Sequence, residues 1–159
     1  MSNWIYHGKE ITDEDVPKKA IGFIYMITHI TTGRRYIGKK LLTKSATKQT
    51  NGVKKKIRKE SDWKTYFSSS PTLQALVAEE GEDKFKREIL VFCSSKGSVA
   101  YLEELALFQM GVLESDDWEN KNIRSRIYAS WVKRDEAQEL RSVLSQLSSS
   151  SSTNSLVSS

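Results

Sequence analysis

The chain has 159 residues, 38% apolar and 28% charged, a length that forms one domain and buries roughly 70% of its unfolded surface. Its apolar runs are short, such as ILVF at 89–92, far below the roughly 20 residues that span a bilayer. Cys93 is the sole cysteine, which excludes an intrachain disulfide and a cysteine-built zinc site and fits a reducing cytoplasm.

The net charge of +5 hides an asymmetry. Residues 34–64 hold twelve Lys/Arg against Glu60 and Asp62, a surplus of ten, whereas the rest of the chain holds 13 Lys/Arg against 18 acids. Charge gathered this tightly suits a polyanionic partner, or else a solvated basic loop.

In chain order, residues 1–20 read as a polar lead-in, with neither the basic start nor the apolar core of a signal peptide. Ile21 to Ile30 is rich in β-branched and aromatic residues and predicts a strand. Thr31-Thr32-Gly33-Arg34 is a turn, and Arg35 to Gly38 is the returning strand. A slip of one residue in this hairpin would exchange its faces, so parity alone does not place Tyr25 and Tyr36 on one side. Residues 39–60 are basic and polar, with a turn at Asn51-Gly52, and read as a long loop or a broken helix. Ser61-Asp62 would cap a short helical turn through Trp63 and Phe67. Pro71, with Ser70 as N-cap, opens a helix carrying Leu73, Leu76 and Val77 and ending near Gly81. Phe85 to Phe92 predicts a third strand. Val99, Leu102, Ala106 and Met110 recur near helical spacing, residues 116–127 return to irregular structure, and 131–147 fits an amphipathic helix. From Ser142 to Ser159 ten of eighteen residues are serine, and the tail 148–159 is too poor in apolar residues to fold. The expected fold is α+β: a small three-stranded antiparallel sheet flanked by helices.

The segment GFIYMITHITTGRRYIGKK, in which Tyr25 and Tyr36 close two half-motifs, resembles the GIY-YIG nucleases. The resemblance continues, in order, through the basic stretch, ESDWKTY, SSSPTLQ, GEDKFKREIL, YLEELALF and WENKNI. It covers about residues 21–125 and is closest to small phage-borne, homing-endonuclease-like (Seg-like) members. It implies a nuclease domain over 21–128 with a basic insertion at 39–60, followed by a helix at 129–147. It also implies a DNA endonuclease that hydrolyses phosphodiesters with one divalent metal, Mg²⁺ or Mn²⁺, needs no small-molecule cofactor, acts on double-stranded DNA and works in a phage-infected bacterial cell. A monomer would nick; a full break would need a homodimer or a second binding event.

The chemistry supports specific residues. Hydrolysis of a phosphodiester needs an activated water, charge neutralisation and a stabilised leaving oxygen. A phenol titrates near 10 in water, and the neighbouring cations Arg34, Arg35, Lys39 and Lys40 would favour its phenolate. Tyr25 and Tyr36 are therefore the candidates to handle and position the water, against the plain alternative of strand aromatics packed on a core. The resemblance implies a helix-borne glutamate for the metal, a hard cation that takes one or two carboxylates. Glu103 and Glu104 are candidates of which only one faces the hairpin, and Glu103 is favoured. The family's arginine, about ten residues after the second tyrosine, is replaced by Ala46. Arg58 is the substitute, because a guanidinium grips phosphate oxygens bidentately, with Lys40 as runner-up. Asn120 matches the family's asparagine, with Asn122 two residues on. Lys39, Lys40, Lys54, Lys55, Lys56 and Ser69 are candidate DNA contacts. Trp63, Tyr66 and Phe67 are better explained by core packing than by stacking on bases, and His7 and His29 are too isolated to form a metal pair. Phe23 stands where the name-giving first glycine belongs, beside Gly22. Two other readings are a nucleic-acid-binding module of the same fold that no longer cuts, and an accessory protein whose basic loop meets an acidic protein.

Overall fold

The computed structural model describes residues 3–124 and 127–157. Residues 1–2 of the lead-in, 125–126 of the irregular stretch and 158–159 of the tail lie outside the described residues. The strands are β1 (Trp4–Tyr6), β2 (Lys9–Glu10), β3 (Gly22–His29), β4 (Arg35–Leu41), β5 (Thr43–Thr50), β6 (Val53–Glu60) and β7 (Phe85–Cys93). The helices are α1 (Pro71–Glu80), α2 (Lys96–Gln109) and α3 (Arg134–Val157). No helix among the described residues is long and apolar enough to cross a membrane.

The three antiparallel strands expected from sequence are present in the order β7-β3-β4, but the sheet has five strands. β1 and β2 extend it to the order β2-β1-β7-β3-β4. β1 runs parallel to β7, so the lead-in is part of the sheet. Two short strands with no alternation to announce them form because Trp4 is driven into the core, 1% exposed, with its indole N–H donating to the Trp63 carbonyl at 2.6 Å.

The basic insertion is neither loop nor broken helix. β5 and β6 pair with each other along their full length, from Thr43↔Glu60 to Thr50↔Val53, as a separate two-stranded ribbon. Asn51 and Gly52 take φ of 52° and 78° at its tip, the positive dihedrals of a two-residue hairpin turn. Its root is pinned where Ser61 N–H donates to the Leu42 carbonyl and Leu42 N–H to the Ile21 carbonyl.

Two cores flank the main sheet. On one face Ile24, Met26, Ile37 and Val91 meet Val99, Leu102 and Ala106 of α2 and Leu140 and Leu144 of α3. The C-terminal helix read as a separate element thus completes the same core. Glu136 fixes its start, accepting from Ser94 N–H and Oγ at 2.9 Å and from Ser98 Oγ at 3.1 Å. α3 also continues past Leu147 to Val157, through the serine run expected not to fold. Serine is only a middling helix former, but the run contains no glycine or proline to stop a helix already nucleated upstream. On the other face Phe23, Tyr25 and Ile27 meet Trp4, Trp63, Phe67 and Leu73. Phe23 is fully buried there and packs edge-on to Trp4, Trp63 and Phe92. α1 begins as the sequence indicates: Ser70 Oγ accepts from Leu73 N–H, Pro71 follows, and Gly81 closes it at φ 94°.

Candidate active site

The β3–β4 register decides the parity left open by sequence. Tyr25 lies opposite Gly38 and Tyr36 opposite Ile27, and side chains two apart on a strand share a face. Both phenols therefore project from one side, with ring centroids 6.2 Å apart. Gly38 makes this pairing fit. A Cβ there would meet the Tyr25 ring, with Cζ at 2.6 Å, so the absent side chain leaves room for the neighbouring phenol.

A third phenol joins the pair. Tyr66 packs edge-on to Tyr25 at 5.9 Å and shares a hydrogen bond with it. Sequence reading gave Tyr66 to core packing along with Trp63 and Phe67. That holds for those two, 5% and 9% exposed, and in part for Tyr66, which is half-buried, packs against the same core and also meets Tyr25. Its segment is held by Arg87, a buried guanidinium of β7 that donates to the carbonyls of Tyr66 (2.8 Å) and Lys64 (3.2 Å). Burial lowers Arg87 to about 10, which leaves it charged at neutral pH. The sequence carries little sign of it, since Arg87 is the middle of three charged residues, Lys86-Arg87-Glu88, in FKREILVF.

The next segment supplies hydroxyls. Ser68 is fully buried with φ 81°, a left-handed conformation that costs a non-glycine residue about 1 kcal/mol or more. It is stabilised by its Oγ accepting from Ser70 N–H (2.8 Å) and its carbonyl accepting from Gln74 Nε2 (2.7 Å). This places Ser68 and Ser69 in hydrogen bonds with the Tyr36 phenol that favour its phenolate. Tyr36, Ser69 and Asn120 line one cleft of about 280 Å³, together with Pro71, Glu119 and Lys121.

The cations do not act as sequence proximity suggested. Burial raises the Tyr36 phenol, and the charge of Glu103 adds to this, so the serine bonds are outweighed. Tyr25 is raised well above the ordinary phenol value, first by burial and then by Tyr66 and Tyr36. The two arginines are engaged elsewhere, and Lys40 is shared between the Tyr66 ring and Asp62. Arg34 pairs with the buried Glu119 carboxylate at 2.7 Å and donates to the Asp116 carbonyl at 3.0 Å. Arg35 stacks on Trp118 at 4.7 Å. Lys40 sits 4.0 Å above the Tyr66 ring and pairs with Asp62 at 2.6 Å.

The two glutamates of α2 diverge. Glu103 lies 3.6 Å from Lys39 and near enough to both Tyr25 and Tyr36 to raise them. Its own carboxyl is raised, because burial outweighs the Lys39 cation. Glu104 is buried, and its raised carboxyl is influenced by Lys39 and not by either phenol. No group of three or more His, Cys, Asp or Glu that could enclose a metal exists among the described residues. Glu103 nevertheless fits a hard cation of the Mg²⁺ type, which takes one or two carboxylates and fills its other positions with water and phosphate oxygens.

Asn120 commits its amide to the backbone. Oδ1 accepts from Ile37 N–H at 3.0 Å and Nδ2 donates to the Ile37 carbonyl at 2.8 Å. Arg35 N–H and carbonyl bond Asp117 and Glu119 just before it. Segment 117–120 thus closes the edge of β4 from Arg35 to Ile37, and Asn120 both lines the cleft and fixes that edge. Asn122 is exposed on the same cleft.

Arg58 is apart from the tyrosine cleft. It stands on the ribbon, its Nε donating to Thr43 Oγ1 at 2.8 Å, and lines a larger basic cleft of about 530 Å³ with Lys39, Lys40, Lys44 and Lys96. Lys54, Lys55 and Lys56 are exposed further along β6. His29 lies at the far end of β3, paired with Glu80 and bonded to Thr32.

A family model for the GIY-YIG domain of the segE endonuclease matches residues 4–123. That span includes β1, which the sequence motifs left out. No curated protein matches the chain, and neither does any solved structure.

Proposed function

Since the chain belongs to the GIY-YIG endonuclease family, we propose that it hydrolyses phosphodiester bonds of double-stranded DNA with a divalent cation of the Mg²⁺ type. The observation that carries this reading is the convergence of Tyr25, Tyr36, Ser69 and Glu103 at the edge of β4, beside Lys39 and Lys40.

The roles divide by exposure. Tyr36 is the accessible phenol; once it has released its own proton to solvent, its phenolate, which the serine hydroxyls stabilise, would take the proton of the attacking water. Tyr25, 1% exposed, keeps its proton and positions Tyr36 through ring contact. Glu103 would hold the cation, which supplies charge neutralisation at the phosphate and turns the negative field of Glu103 on Tyr36 into a positive one. Lys40 takes the place of the family's arginine beside the phenols, while Arg58 contacts the DNA at the ribbon root. Asn120 keeps β4 in register.

The second reading, a DNA-binding module of this fold without cleavage, is favoured by the lack of an arginine among the residues lining the tyrosine cleft. Supercoiled plasmid with Mg²⁺ separates the two. Conversion to open circle or linear DNA, stopped by chelator and in Glu103→Ala but not in Glu104→Ala, is the expected result. Intact plasmid with salt-sensitive binding would favour the module.

A further inference from the structure

The β5–β6 ribbon projects from the sheet, and its charge has no internal balance. Within Thr43–Glu60 there are seven Lys/Arg, and the only acid is Glu60 at the root. Most of its side chains are exposed. Two directly opposed pairs are lysine on lysine, Lys44↔Lys59 and Lys48↔Lys55. Like charges facing each other across strands destabilise a hairpin, and a solvated ribbon would normally alternate its signs. This arrangement becomes favourable only against a polyanion.

The register sorts the ribbon into two chemically different faces. One carries Lys44, Lys48, Lys55 and Lys59 around a half-buried Ala46–Ile57 pair. The other carries Ser45, Thr47 and Gln49 opposite Arg58, Lys56 and Lys54. That second set consists of the side-chain types that hydrogen-bond base edges: Arg and Lys to guanine, Gln to adenine, Ser and Thr to either. Its root residues Thr43, Ser45 and Arg58, with Lys44 of the first face, line the basic cleft that also contains Lys39 and Lys40. Lys40 links this cleft to the phenols, since it sits 4.0 Å over the Tyr66 ring, which packs on Tyr25. The dimensions fit as well. A two-stranded ribbon enters the major groove, about 12 Å wide. Same-face residues recur every ~6.7 Å along a strand, about two base-pair steps.

We propose that the β5–β6 ribbon lies in the major groove of duplex DNA with its Ser45/Thr47/Gln49/Lys54/Lys56/Arg58 face on the base edges, so that it selects the sequence beside the cut while the opposite lysines engage phosphates. This rests on the reading of DNA as the ligand. It makes the nuclease domain its own short-range reader and gives the insertion a function beyond general affinity.

The test uses the full chain carrying Glu103→Gln, so that binding is followed without cleavage, to select ligands from a pool of random-sequence duplex DNA. A shared motif of a few base pairs is expected. Thr47→Ala with Gln49→Ala should lower the preference at one or two of its positions by about tenfold or more, while affinity for unselected DNA changes little. Lys48→Ala with Lys55→Ala should weaken all sequences alike and reduce the salt slope by about 2. Circular dichroism matching the parent shows that each variant is folded. An unenriched pool, a motif unchanged by Thr47→Ala with Gln49→Ala, or a preference for single strands would each overturn the proposal. A motif recovered from a wild-type chain that never cuts would contradict only the nuclease reading, and cutting without any motif only the ribbon proposal.

Discussion

A methyl group at Gly38 has nowhere to go except into the Tyr25 ring. Gly38→Ala is expected to cost about 1–3 kcal/mol, as overpacking of a filled interior does, and to disturb the tyrosine pair; urea denaturation and near-UV circular dichroism would detect both. The phenols make a second prediction. Both have folded values raised above 10, so their contribution to stability is complete below the ordinary phenol value and is lost as pH rises through the raised ones. Alkaline unfolding should therefore be shallower in Tyr25→Phe than in wild type, and an unchanged alkaline limb would count against a buried protonated Tyr25. Glu103 follows the same sign, with stability highest below its ordinary carboxyl value and declining as pH rises through its raised one. At this scale the sequence motifs singled out the tyrosines, Glu103 and Asn120, which the fold brings to one edge of β4. They could not show that Arg34 and Arg35 are taken up by Glu119 and Trp118, because both partners lie more than 80 residues away. They gave Tyr66 to core packing alone, whereas it packs against the core and also shares a hydrogen bond with Tyr25.

The exposed edge of β4 is the element on which the site depends, and it is covered by a loop rather than a strand. Asn120→Ala removes two hydrogen bonds from Ile37, and at about 1 kcal/mol each should cost roughly 2 kcal/mol. Amide exchange at Ile37 should accelerate more than elsewhere in the sheet; exchange unchanged at that amide would mean that Asp117 and Glu119 suffice. Elements with local punctuation were readable in sequence. Ser70-Pro71 and Gly81 bracket α1, and Asn51-Gly52 marks the ribbon tip. The strands around that tip were not readable, because TKSATKQT and VKKKIRKE have no buried face and so no apolar alternation to display. Lys9 and Glu10 of β2 are exposed and show none for the same reason.

Across the whole molecule, charge and chemistry adjoin at Lys40. The ribbon root lines the basic cleft, Lys40 of that cleft reaches the Tyr66 ring, and the acidic surplus of the sequence lies outside residues 34–64. DNA affinity should fall steeply with salt, by the roughly 10³–10⁵-fold between 50 and 200 mM that six to ten phosphate contacts produce; a flat dependence would remove the polyanion from the account. The central claim is that the Tyr36–Glu103 constellation cuts DNA rather than merely holding it. It is tested most directly by comparing plasmid nicking rate and DNA affinity in wild type and Tyr36→Phe. The account expects the rate to fall by about 10²–10⁴, the usual contribution of a positioned base, with Kd nearly unchanged. Nicking that persists at the wild-type rate in Tyr36→Phe would contradict it.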